Sequence, residues 1–301
     1  KYYGYPENYS WNVLAYRKDS FEKAGLDPNK PPKTWNEFLE YSKKLTTGGN
    51  YGFVVQPYDW WWFAWFWENG GEIFNKNFTK CTLNSPQGVE ALQFYVDLYQ
   101  KHHVVPPAAV GAMPTEGSHF NAETAFINGQ VAMLQVGPWF TMNYATQRPD
   151  DVKNLMYAPL PVKDGKTIHA STIGGRIVAV SNQSKNKQLA WEFSRFVVET
   201  EVKYYQDMLK NQTPEQAVAK IPLFSLLVRR SSAKLAAFQH PLLKVFVDTA
   251  PQATLRPRYT NWVKPARTIN QELQAAILGL KSPKEALDNM VTIINAEMKK
   301  K

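Results

Sequence analysis

Val13-Leu14-Ala15-Tyr16-Arg17-Lys18-Asp19-Ser20-Phe21-Glu22-Lys23-Ala24-Gly25 is the stretch whose reading decides the fold. Its apolar opening reads as a short buried strand, and the charged run behind it as a short helix over 21–24, stopped by Gly25 and the Pro-rich segment 27–32. Thr34 with Glu37 three residues on forms a capping-box pattern. Trp35, Phe38, Leu39, Tyr41, Ser42 and Leu45 then supply a helical stripe that Gly48-Gly49 ends. The alternation continues outward. Strands are predicted over 51–56, 131–136, 155–160 and 176–180, and helices from Ser85-Pro86, over 120–127, 189–196 and 273–280. A last helix follows Ser282-Pro283 with Glu285 in capping-box position. Helices alternating with short apolar strands make the class α/β, with largely parallel pairing expected.

Length and composition set the limits. The 301 residues suffice for two domains, and 44% hydrophobic against 20% charged residues can bury a sizeable core. No apolar run approaches the ~20 residues of a membrane helix. One cysteine, Cys81, excludes a disulfide framework or a cysteine-rich zinc site. The net charge of +9 comes from lysines and arginines spread along the chain, with Arg229-Arg230 and 299–301 the tight groups. That spread reads as a solvated surface, not a nucleic-acid footprint. The chain opens Lys1-Tyr2-Tyr3-Gly4-Tyr5-Pro6, with neither the charged nor the apolar region of a signal peptide.

Positive signals for catalysis are missing. There is no glycine-rich phosphate loop, no zincin spacing and no nucleophile elbow. His102 and His103 adjoin and so point apart, which disfavours a shared metal, and Asp150-Asp151 reads as a surface turn. No metal and no cofactor are expected. The compositional excess is aromatic: five of the ten tryptophans fall between 60 and 67. Sugars present apolar C–H faces and polar hydroxyl edges, which proteins grip with flat rings and with hydrogen-bonding groups around them. Tyr58-Asp59-Trp60-Trp61-Trp62 combines both, and Gly137-Pro138-Trp139 offers another ring on a sharp turn. Trp62, Trp65 and Phe66 share a helix face and read as core.

Several of these stretches, in this order, resemble the bacterial extracellular solute-binding proteins of ABC sugar importers, related to maltose-binding protein. The carriers are 14–25, Pro31-Pro32-Lys33-Thr34-Trp35-Asn36-Glu37-Phe38, Asn69-Gly70-Gly71, 125–133, Gly137-Pro138-Trp139, Gly174-Gly175 and 282–287. The resemblance implies a type II periplasmic-binding-protein fold: two α/β lobes joined by crossing hinge strands, with one lobe incomplete because the family's N-terminal half-lobe has no counterpart. It implies a C-terminal lobe from 11–169 plus 256–301, and the rest of the other lobe from 1–10 plus 170–255. It further implies cleft positions at Asp59, Trp60, Trp61 and Trp139, at Ser10 and Trp11 before the first crossing, and at Arg256, Arg258 and Trp262 before the last helices. Gly175 and Arg176 join them because glycine admits a ligand to the backbone and arginine donates a planar set of hydrogen bonds.

The function expected is carbohydrate binding and delivery to membrane permease subunits, by a non-enzymatic, monomeric protein in the periplasm or on the outer face of the membrane. Any lipid anchor would lie outside this sequence. A carbohydrate-active enzyme and a binder of acidic saccharides such as uronates are the alternatives.

Overall fold

The computed structural model of the chain describes residues 4–110, 121–167, 170–210, 212, 234, 236–256 and 262–299. Strand β1 (Tyr5–Trp11) and strand β2 (Val13–Arg17) are separated by Asn12 alone, yet they belong to different sheets. β1 pairs antiparallel with β5 (Ser171–Val178), which pairs parallel with β6 (Ala253–Leu255). β2 is the middle strand of the second sheet, between β3 (Met133–Val136) and β4 (Leu155–Ala158) and antiparallel to both. Asn12, buried at the crossing, is locked by the Ser171 hydroxyl, which accepts from its N–H at 2.6 Å and donates to its carbonyl at 2.7 Å.

Three of the four pairings among the described strands are therefore antiparallel, against the parallel expectation. The reason is topological. β3, helix α6 (Trp139–Gln147) and β4 form one crossover whose strands run the same way, but the crossover leaves a gap. β2, arriving from far upstream, fills that gap and runs against both. The predicted strand over 51–56 also differs: only Tyr51 bridges a neighbour, Val131. Phe53, Val54 and Val55 are buried as extended chain, but their surroundings answer the backbone without a ladder. Phe53 N–H donates to the Val104 carbonyl, and Gln56 N–H to the Tyr95 hydroxyl.

The helices form much as their caps dictate. Thr34 accepts from Glu37 N–H to start α2 (Trp35–Leu45), and Glu37 reaches back one residue further, to Lys33 N–H at 2.7 Å. Ser85 caps α4 (Pro86–Gln100), Asn121 caps α5 (Ala122–Ile127), and α1 (Lys18–Lys23) follows β2 directly. Helix α7 (Lys187–Lys210) is three times as long as its predicted 189–196 core. After it come α8 (Pro241–Thr249), α9 (Val263–Ile277) and α10 (Pro283–Met298), the last closed by a full Ser282/Glu285 capping box. Helix α8, from the stretch expected in the smaller lobe, packs on β4 through Tyr157 and Phe246, whose ring centroids lie 5.2 Å apart.

The core is centred on α3 (Asp59–Glu68). Trp65 is wholly buried among Trp35, Phe38, Phe53, Phe94 and Tyr95, with centroids 5.2 to 6.0 Å away, and its indole donates to Gln135 Oε1. Beneath the β2 sheet the buried Arg17 donates to Asp19, Asp151 and the Tyr144 hydroxyl. Burial opposes its charge, but these acidic partners outweigh burial and keep the guanidinium charged.

Candidate functional site

Two aromatic clusters grow from the first turn of α3, one at Trp60 and one at Trp61. The first lies at the sheet crossing. Trp60 is half-buried, and its indole N–H donates to Asn12 Oδ1 at 2.9 Å while Asn12 Nδ2 donates to the Trp60 carbonyl at 3.1 Å. A Cβ at Gly174 would come within 2.5 Å of the Trp60 ring, so only glycine lets β5 pass this close. The Arg256 guanidinium sits 5.2 Å from the Trp60 ring centroid and donates to both Asp59 oxygens, at 3.1 and 3.2 Å. Trp262 donates to the same carboxylate at 3.3 Å, and Asn270 accepts from the Asp59 N–H.

These contacts correct the expectation for several residues. Asp59 was expected to meet ligand hydroxyls, but its carboxylate is fully buried and taken by Arg256 and Trp262. A buried carboxylate needs such partners, and its complete burial keeps it out of reach of a guest. Trp11 is likewise core: its indole donates to Thr249 Oγ1 and 3% of it is exposed. Arg176 lies on the outer part of β5 and pairs with Glu7 at 3.0 Å. Gly175 faces Tyr9 across the β1–β5 pair, and Ser10 faces Gly174. Arg258 lies outside the described residues.

The second cluster centres on Trp61 and Trp139. Trp61 and Trp139 are both half-buried, with centroids 6.4 Å apart and planes inclined by 57°. Trp139 starts α6, and its ring folds back over Gly137, where a Cβ would collide at 2.0 Å. Its indole donates to Glu123 Oε1 at 2.7 Å, while Asn143 Nδ2 donates to Glu123 Oε2 at 3.1 Å. Gln135 ties the base, accepting from Trp65 and donating to the Trp61 carbonyl. The result is two splayed rings with a carboxylate and an amide at their edge, the combination that grips a pyranose face and its hydroxyls. Sequence reasoning missed Glu123, Asn143, Gln135 and Asn12. Only Asn12 left a signal, as a polar residue between two apolar runs.

At the far end of α3, Glu68 is completely buried, and neither oxygen has a hydrogen bond of normal geometry. Burial pushes its carboxyl well above the usual range, more than the nearby Ala170 amide and Trp35 indole pull it down. A separate cavity of about 650 Å³, walled partly by Trp67, Phe74, Phe78 and Leu255, shares no lining residue with either cluster. Among the described residues no group of three or more His, Cys, Asp or Glu could hold a metal ion, and no helix is long and apolar enough to cross a membrane.

Residues 1–204 match the family described as bacterial extracellular solute-binding protein. The sn-glycerol-3-phosphate-binding periplasmic protein of Brucella abortus is 28% identical over 97% of this chain and 66% of its own length. An ABC transporter solute-binding protein from Thermotoga lettingae, solved with α-D-tagatose, superposes with a TM-score of 0.81 at 26% identity, covering 98% of this chain and 72% of its own. The Thermus thermophilus maltotriose-binding protein, solved with maltotriose, does so at 0.72 and 27%, covering 98% and 72%. This chain thus spans about seven-tenths of the length of such relatives.

Proposed function

Because this chain belongs to the bacterial extracellular solute-binding protein family, we propose that it is the solute-binding component of an ABC importer. It holds a mono- or oligosaccharide between two lobes and presents it to the permease. The proposal includes an extracytoplasmic location, in the periplasm or on the outer membrane face, a monomeric state, and a purely binding role. Residues 11–169 and 256–301 form one lobe in this reading, and 1–10 and 170–255 contribute to the other, with β1, β5 and β6 as crossing strands. Closure is then a population shift, and a sugar favours the closed form only by touching both lobes.

The observation that carries the reading is the Trp61–Trp139 pair with its polar edge. Covering about 100 Å² of ring with sugar would contribute about 2.5 kcal/mol. Trp60 and Trp262 play a supporting part, because the Asp59–Arg256 pair holds them at the crossing. Arg258 remains within the proposal as a neighbour in sequence of Arg256.

The test is a thermal-shift screen of the chain against a saccharide panel, since a ligand that binds only the folded state raises the melting temperature. Calorimetry on Trp139→Ala follows. The variant should melt near the parent and bind the best saccharide at least about tenfold more weakly, a loss of roughly 1.4 kcal/mol. Unchanged affinity would remove Trp139 from the site.

A further inference from the structure

The Trp61–Trp139 face carries the carboxylate of Glu123, which forms no ion pair among the described residues. Both oxygens of Glu123 are engaged, but by neutral donors, the Trp139 indole and the Asn143 amide. Two of the arginines that an acidic ligand would need are paired elsewhere: Arg256 with Asp59, and Arg176 with Glu7 of β1. Each carboxylate oxygen has two acceptor sites, so Glu123 keeps one on each oxygen after serving Trp139 and Asn143. A sugar hydroxyl can donate to either of them. A uronate carboxylate brought to the same place has no proton to donate at neutral pH, a phosphate monoester is mostly a dianion there, and either is set against another carboxylate.

We propose that this face takes an uncharged saccharide and turns away uronates and phosphates, with Glu123 as the residue that sets the preference. The inference rests on the saccharide reading above and sharpens it. It also separates this chain from its glycerol-phosphate-binding relative, whose ligand is an anion. Glu123 acts in two ways: it fixes the Trp139 ring through the indole bond, and it offers the remaining acceptors to the guest.

The experiment is calorimetry on the parent chain and on Glu123→Gln. The probes are D-tagatose, maltotriose, the same trisaccharide oxidised to a terminal glucuronate, and sn-glycerol 3-phosphate. The parent is expected to bind a neutral probe at least roughly tenfold more tightly than either anion. Glu123→Gln, shown folded by its melting curve, is expected to narrow that gap. If the parent binds the glucuronate or the phosphate as tightly as the neutral sugar, and Trp139→Ala weakens that binding, the inference falls while the site stands. A gap unchanged in folded Glu123→Gln removes the role of Glu123. Failure of every probe to bind the parent overturns the saccharide reading and the inference with it. The selectivity of the parent needs no variant, so misfolding of Glu123→Gln cannot protect the claim.

Discussion

Helices α3 and α7 are both rich in aromatic residues, and the protein treats them in opposite ways. In α3, Trp62, Phe63, Trp65, Phe66 and Trp67 vanish into the interior, leaving only Trp60 and Trp61 half-open at its first turn. In α7, Phe193 and Phe196 are each 64% exposed, as is Tyr204, while Val198, Val202 and Leu209 cover the one face that is buried. The difference lies in the neighbours. Helix α3 is surrounded by α2, α4, β5 and α9, so nearly every direction around it ends on apolar surface. Among the described residues helix α7 packs chiefly on β1, with Tyr5 meeting Trp191 at 6.0 Å. Aromatic density by itself therefore identifies neither a core nor a ligand site. What surrounds a ring decides, and a functional ring is one left half-covered with polar groups fixed at its edge.

The largest effect should come from removing a ring at the centre of the crowded helix. Trp65→Ala would leave a void walled by five aromatic rings and take from Gln135 Oε1 its donor, at a cost of about 3–5 kcal/mol. Urea unfolding followed by far-UV circular dichroism measures it. A cost below about 1 kcal/mol would mean that the interior closes over the gap and that the contrast between the helices is one of appearance.

How far this was legible from sequence depends on the distance over which each feature is built. The caps of α2 and α10 are local, and Thr34, Ser282 and Glu285 announced them correctly. The spacing of Trp62, Trp65 and Phe66 likewise announced a core face, which their complete burial bears out. Strand direction was misread because β2 enters a gap left by a crossover that begins more than a hundred residues later, and no local pattern records that. Asp59 and Arg256 stand 197 positions apart, so the carboxylate looked free when it was bound. Trp11 carried no mark of which side it faced. Glu123 and Trp139 are only 16 apart, but on separate helices, and their bond exists only because α5 and α6 pack together.

A smaller, pH-dependent effect is expected from the other end of α3. The raised folded value of Glu68 means that the folded chain keeps its proton where the unfolded chain has lost it. Its contribution to stability is therefore full below about pH 4.3, the unfolded value, and declines as pH rises toward the folded value. Glu68→Gln cannot ionise and escapes that decline. Its stability relative to the parent should rise by up to about 1.4 kcal/mol for each pH unit above that point. Thermal melts of both proteins at pH 5 and pH 7 test this. Parallel pH profiles would show that the carboxyl finds a charge-stabilising partner, and that the interior around α3 is less closed than that around Trp65.

The smallest effect is expected where aromatic rings are most visible. Replacing both Phe193 and Phe196 by serine removes two large apolar side chains, yet each is already mostly in water, so little burial is lost. The pair should shift the unfolding free energy of this chain by no more than about 0.5 kcal/mol per residue, against the several expected for Trp65 alone. Val198→Ser, on the buried side of the same helix, serves as the internal standard and should cost clearly more, because it places a hydroxyl where the chain offers an apolar contact. If the double variant is as destabilised as Val198→Ser, the two faces of α7 are equally covered in solution, and the neighbours of α7 do not set it apart from α3. If the variant is neutral and more soluble, the exposed rings contribute nothing to folding of these 301 residues. The half-covered pair at Trp61 and Trp139 then differs from them in the polar groups that hold its edge.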